Sequence, residues 1–248
     1  QFHLLLMPKL VGGRFSVFSS VGLFPLLAAG IDIEQLLQGA QTLLKECFQA
    51  SATNLALHSA AMMFYGYQKG FTIHDTFLFQ PELESLGKWY RQLLGESIGK
   101  EKNKAGDIVH IGITPTVSIG STDLHSVAQL YLGGPKNKVT TFVSSEDNDM
   151  SMILPPQRHF SDLVTLKSGI SIQTIMQAIL EGTKIAYTKA ELPYMHCILS
   201  PVSSYSLGEF MQWKMLEIMY LGELFNINAF DQPNVEMYKI ETRKLLQE

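Results

Sequence analysis

Cysteine is almost absent: Cys47 and Cys197 are the two in 248 residues, and they stand far apart. That spacing excludes a disulfide framework or a Cys-based metal cluster and suits buried, reduced thiols in a cytoplasmic protein. A basic stripe is missing too. The 19 Lys and Arg are scattered among 23 Asp and Glu, with a formal net charge of −4, so the electrostatic footprint of a nucleic-acid binder is lacking. The longest apolar run, 17–31, is interrupted by Ser19, Ser20, Gly22 and Pro25 and is too short to span a bilayer. It reads as a buried helix, and no membrane partner is expected. The first residues carry neither a basic leader nor a small-residue cleavage site. No internal repeat, low-complexity tract or His/carboxylate cluster of metal-ligand spacing is found, so no metal and no cofactor is expected.

What is present is a hydrophobic content of 46%, enough for a well-formed core in one large or two small domains. Apolar residues at 33, 36, 37, 40, 43, 44 and 47 keep helical spacing behind Asp32, which predicts a helix over 33–49. Asn54 opens a second helix through Tyr67, closed at Gly70. From there the pattern alternates: strand 77–79, helix 83–94, strand 116–119, helix 123–132, strand 139–143, helix 172–189, strand 194–199 and helix 207–224. Such alternation argues for an α/β fold, a parallel sheet flanked by helices. A helical segment at 1–70 leads into the α/β domain at 71–248, which ends in helices. The polar stretch 144–167, with Pro155 and Pro156, reads as a surface excursion. Gly133-Gly134-Pro135 reads as a helix stop, and Met211, Met215, Met219 and Trp213 as core filling at helical period.

Two short blocks bracket the chain: Gly12-Gly-Arg-Phe-Ser16 near the start and Phe230-Asp-Gln-Pro-Asn-Val-Glu-Met-Tyr-Lys239 near the end. Between them lie Leu86-Gly-Lys-Trp-Tyr-Arg-Gln-Leu-Leu-Gly-Glu-Ser-Ile-Gly-Lys100 and Gly120-Ser-Thr-Asp-Leu-His-Ser-Val-Ala-Gln-Leu-Tyr131. Taken in order, the four resemble the glucose-6-phosphate isomerase family of bacterial type. One position departs from it: Asn234 stands where the family mostly has Gly or Ala, which suggests a backbone requirement met by a residue that tolerates left-handed angles.

The resemblance implies the sugar isomerase fold, its second domain type, and aldose–ketose isomerisation of glucose 6-phosphate and fructose 6-phosphate through an enediolate. That chemistry needs an acid/base for ring opening, a carboxylate to carry a proton between C1 and C2, and a cation beside the developing charge. It matches Glu96 to the base. Read alone, Glu96 is a solvated glutamate just past a helix end, where the helix dipole does not favour it. His125, after a strand and at a helix start, matches the ring-opening histidine, which in the family is donated across a homodimer interface; alone it is a packed histidine at a helix start. Lys239 matches a proton donor or electrostatic partner near the ring oxygen, and alone is an i, i+3 partner of Glu236. Arg14 matches the arginine facing the enediolate, with Gly12 and Gly13 letting the chain turn so that the guanidinium reaches inward. Gln92 matches a substrate hydroxyl contact, or is an exposed helix residue.

The family also binds phosphate through a Ser-Lys-(Ser/Thr)-x-x-Thr loop in a preceding module, and residues 1–248 contain none. Charge-assisted bonds to phosphate are the strong kind, so affinity for the substrate is expected to reside upstream, with this chain a C-terminal portion of a longer enzyme. The alternatives are a non-catalytic sugar-phosphate-binding module, an inactive fragment, or a related reaction on mannose 6-phosphate.

Overall fold

The computed structural model describes residues 4–48, 53–146, 152–155 and 169–246. In chain order, a 3-10 turn at Gly13–Phe18 is followed by α1 (Ser20–Ala28), α2 (Ile33–Phe48), α3 (Leu55–Gln68), β1 (Ile73–Leu78) and α4 (Glu84–Ile98). Next come β2 (Lys100–Lys102), β3 (Ile108–Ile111), β4 (Thr114–Ile119), α5 (Ala128–Gly133), β5 (Lys138–Ser145), α6 (Ile172–Lys189), β6 (Tyr194–Leu199), α7 (Ser204–Leu224) and α8 (Val235–Leu245). The chain divides into two units: one of Gln1–Thr72, Lys88–Pro115 and Ser204–Glu248, the other of Ile73–Gly87 and Thr116–Ser203. No helix among the described residues is long and apolar enough to cross a membrane.

The first unit is helical. Asp32 Oδ1 accepts the backbone N–H of Glu34 and Gln35 at 3.1 and 3.0 Å, and Asn54 Oδ1 accepts that of Leu57 at 2.9 Å. Both caps satisfy donors that a helix start leaves open. α2 and α7 cross at two glycines. A Cβ on Gly39 would overlap the Tyr205 carbonyl, and one on Gly208 the Leu36 carbonyl, so each helix presses its backbone against the other. Behind them Lys214, Glu217 and Tyr90 are fully buried. Lys214 Nζ pairs with Glu217 at 3.1 Å and sits 3.8 Å from the Trp213 ring centroid and 4.5 Å from that of Tyr90. The Tyr90 hydroxyl donates to Glu217 Oε1 at 2.5 Å. Burial pushes the Tyr90 phenol well above its ordinary value, which keeps it a donor. A buried ion pair is tolerated when such extra partners satisfy it.

The second unit holds a four-stranded parallel sheet in the order β4-β1-β5-β6, flanked by helices. Register sets Phe77 beside Phe142 and Phe142 beside His196. One face packs Phe77, Phe79, Phe142, Leu180, Tyr187 and Leu192, with Phe142 edge-on to Tyr187 at 5.1 Å between centroids, a favoured aromatic geometry.

Several expectations are corrected. The run 17–31 is not a buried helix: α1 has no buried residue, and Val21, Phe24 and Leu27 are 52, 61 and 57% exposed. Its apolar residues lie on all sides rather than in one stripe, so no single packing face exists. β1 begins at Ile73 rather than 77, because His74, Asp75 and Thr76 are polar yet buried. Asp75 Oδ1 accepts from Thr116, Ser118 and Tyr131 hydroxyls at 2.6, 3.0 and 3.1 Å, and burial raises its carboxyl above the usual range. The expected helix 123–132 is a 3-10 turn at Thr122–Leu124 and then α5. Asp123 holds the loop open by accepting from Ile119 N and Ser126 Oγ, both at 2.7 Å. Cys47 is buried as expected, whereas Cys197 is half-buried, since β6 ends one edge of the sheet order. Most of the excursion 144–167 lies outside the described residues.

Replacing Gly208 by Ala should drive α7 from α2 and lower the stability of the helical unit by about 1–3 kcal/mol, the range for an overpacked core. Urea unfolding followed by fluorescence would check it. An unchanged midpoint would mean that the helix crossing is looser than described.

Candidate functional site

The two signature blocks meet at Arg14. Gly12 is extended, Phe15 N donates to Gly12 O at 3.0 Å, and Ser16 Oγ donates to Gly13 O at 2.7 Å. That tight 3-10 turn aims the Arg14 side chain inward, and the residue is 4% exposed. Four hydrogen bonds hold its guanidinium. Nε donates to Ser97 Oγ at 2.8 Å, Nη1 to Gln232 Oε1 at 2.9 Å, and Nη2 to the carbonyls of Ala229 and Asp231 at 2.8 and 3.1 Å. Trp89 Nε1 donates to the Arg14 carbonyl at 3.2 Å. One planar fork thus ties the first signature to the end of α4 and to the second signature. Burial lowers the guanidinium's pKa, opposed by Glu96 and Asp231; so strong a base remains charged.

Glu96 lies in the last turn of α4, not past it; the helix runs on through Gly95, where a Cβ would meet only Pro115 at ordinary contact distance. Its carboxylate is half-buried, with Oε2 3.5 Å from Arg14 Nη1 and Oε1 accepting from Gln92 Nε2 at 3.1 Å. Lys100 Nζ donates to the Glu96 carbonyl at 2.9 Å and the Asp231 carbonyl at 2.6 Å, and pairs with Asp231 Oδ1 at 3.2 Å. Burial lowers the Lys100 ammonium's pKa, and Asp231 offsets part of that. The result is a carboxylate that water can reach, beside a buried guanidinium and with a second cation fixing the turn that carries it.

Arg14, Glu96 and Gln92 are therefore brought together. Gly12 and Gly13 are exposed, and among the described residues a Cβ on either would meet nothing within 4 Å. Lys239 sits on α8, where its ammonium pairs with Glu236 at 2.7 Å and is raised by that hydrogen bond. His125 belongs to the sheet unit, exposed, directly after the 3-10 turn, its N–H donating to Thr122 O at 3.1 Å. Asn234 is not left-handed: its φ is −71°, and its side chain donates to Glu101 Oε2 at 3.1 Å. Ser97, Lys100, Asp231 and Gln232 were not singled out from sequence, although all lie inside the quoted blocks; their polar character beside Arg14 and Glu96 was the available signal. Among the described residues no group of three or more His, Cys, Asp or Glu is placed to hold a metal ion.

The family model described as phosphoglucose isomerase matches residues 3–248. A glucose-6-phosphate isomerase of Carboxydothermus hydrogenoformans is 36% identical over 97% of this chain and 52% of its own length. One from Methanocaldococcus jannaschii is 33% identical over 96% and 57%. The chain thus spans about half the length of these curated relatives. A hypothetical protein from Thermus thermophilus superimposes with a TM-score of 0.89 at 33% identity, over 98% of this chain and 57% of that one. A glucose-6-phosphate isomerase from Chlamydia trachomatis shares the fold, at a TM-score of 0.84 and 20% identity over 97% of this chain and 48% of that one.

Arg14→Lys keeps the charge but cannot fork five donors. It should cost about 2–4 kcal/mol, as breaking a buried charged network does, and speed hydrogen exchange at the amides of 229–232. A stability within about 0.5 kcal/mol of the parent, the range of ordinary surface changes, would show that the fork is not what holds the signatures together.

Proposed function

The chain belongs to the phosphoglucose isomerase family, and from that premise we propose that the full-length protein interconverts glucose 6-phosphate and fructose 6-phosphate. The observation that carries this reading is the Glu96 carboxylate 3.5 Å from Arg14, at the meeting point of both signature blocks. In the proposed mechanism the substrate ring opens, Glu96 takes the proton from C2 and returns it to C1, and the Arg14 edge facing Glu96 stabilises the enediolate. A charge pair near 4 Å at an effective dielectric of about 20 gains about 4 kcal/mol, on the order of a thousandfold in rate. One well-placed cation is therefore enough to matter.

Gln92 orients Glu96 and offers its amide to a sugar hydroxyl, and the bare backbone at Gly12 and Gly13 leaves room for the substrate. His125 assists ring opening, donated by the second copy of a homodimer, and Lys239 leaves Glu236 to face the ring oxygen. Residues 71–248 supply the second sugar isomerase module, with 1–70 as its lead-in. The mechanism needs proton transfer alone and no cofactor, and the protein works in the cytoplasm. The relatives' additional length is where phosphate would be held. That same fact supports a second reading, in which these 248 residues by themselves bind weakly and do not turn over.

In a coupled assay, Glu96→Gln in the full-length protein should lower kcat by about a hundredfold or more, the usual contribution of a positioned base, with KM little changed. Failure of the parent to interconvert the two sugar phosphates would sink the isomerase reading. An active Glu96→Gln protein would sink only the assignment of the base.

A further inference from the structure

We propose that the sheet unit carries a second small-molecule site, separate from Glu96: a cavity at the carboxyl ends of β1 and β5 that takes an uncharged polyhydroxylated ligand of monosaccharide size. The cavity measures about 530 Å³, within the range of pockets that enclose small ligands. Its place follows from topology. In the order β4-β1-β5-β6 the chain leaves β1 towards β4 and leaves β5 towards β6, so the connections part between β1 and β5. Open α/β sheets take ligands in the crevice outside such a switch point, and the residues there are Phe79 and Gln80 after β1, Ser144 and Ser145 closing β5, and Gln173 and Gln177 at the start of α6.

The lining chemistry selects the ligand. Amides and hydroxyls both donate and accept, as a ligand's own hydroxyl groups do. A phosphoryl group only accepts, and the Glu82 carboxylate on the lining would repel its charge. Phe79 and Met176, both on the lining, supply an apolar surface for the ligand's C–H face.

Ser144 is set as a donor by a chain of contacts. Lys184 Nζ pairs with Glu181 at 2.8 Å and lies 3.2 Å from His196 Nδ1, while His196 Nε2 lies 2.8 Å from Ser144 Oγ. An ammonium has protons only to give, so Nδ1 accepts and Nε2 carries the ring proton. His196 Nε2–H therefore donates to Ser144 Oγ, and the serine's own proton is left to point into the cavity. Burial and Lys184 both lower the imidazole's pKa, which keeps this neutral tautomer. The same tautomer cannot take a proton from Ser144, so the pair recognises a ligand and does not make a nucleophile.

The test is methyl NMR on the full chain with labelled methionine, titrated with D-glucose, D-fructose and myo-inositol to about 50 mM, a concentration that detects millimolar binding. Met152 and Met176 should shift saturably while Met215 and Met237, in the helical unit, stay in place. Ser144→Ala should weaken the effect about tenfold or abolish it, on the order of one or more lost hydrogen bonds. Gln177→Ala, on the exposed side of α6, should weaken it without a folding risk. No saturable shift, shifts confined to the helical unit, undiminished binding by both variants, or stronger binding of inorganic phosphate at Met176 would each overturn the proposal. Because the readout is binding within the sheet unit, it stands or falls independently of isomerase turnover.

Discussion

Everything proposed for the helical unit depends on one buried guanidinium. Arg14 donates four hydrogen bonds, to Ser97, Gln232, Ala229 and Asp231, and turns its remaining edge towards Glu96 at 3.5 Å. An isolated charge at this depth would be costly. It is tolerated because four hydrogen bonds and the nearby Glu96 carboxylate satisfy it, two of the acceptors being backbone carbonyls of a loop that would otherwise need partners of its own. The geometry of the fork fixes where the loop 229–232 and the last turn of α4 stand relative to each other. A lysine, with a compact charge and no plane, could not specify that arrangement.

Around that centre lie two further constraints. Lys100 binds the carbonyls of Glu96 and Asp231, so the same two segments are joined twice, once by each cation. Along α4, Tyr90 and Ser97 are seven residues apart and share a face, two turns from one another. The Tyr90 hydroxyl is anchored to Glu217 and the Ser97 hydroxyl to Arg14. These two polar anchors fix how α4 is rotated about its axis. They therefore fix the direction in which Glu96, next to Ser97, presents its carboxylate.

The fold was legible where periodicity and capping agreed. α2, α3, α6 and β6 lie close to the expected bounds because Asp32, Asn54 and Ser171 cap a clear helical stripe and because Tyr194–Leu199 is a mainly apolar run. It was illegible where polar residues are buried: His74 and Asp75 sit in a central strand because hydroxyls from Thr116, Ser118 and Thr141 meet them across the sheet, which no local pattern reveals. The β2/β3 hairpin, too short and too charged to stand out, went unread. α1 misled in the opposite direction, since apolar composition says nothing about which side finds a partner. At the candidate site, Arg14 and Glu96 came from motif resemblance and not from physics. Their partners Ser97, Lys100 and Gln232 needed the fold, because their contacts join residues far apart along the chain.

The central claim is that the carboxylate of Glu96, beside Arg14, carries a proton between adjacent carbons of an open-chain sugar phosphate. The most direct measurement is proton NMR of fructose 6-phosphate incubated with the full-length protein in deuterium oxide. The account predicts deuterium at C2 of the glucose 6-phosphate formed, and none when Glu96 is replaced by Gln. Conversion, or incorporation of deuterium, at an equal rate by Glu96→Gln would contradict it.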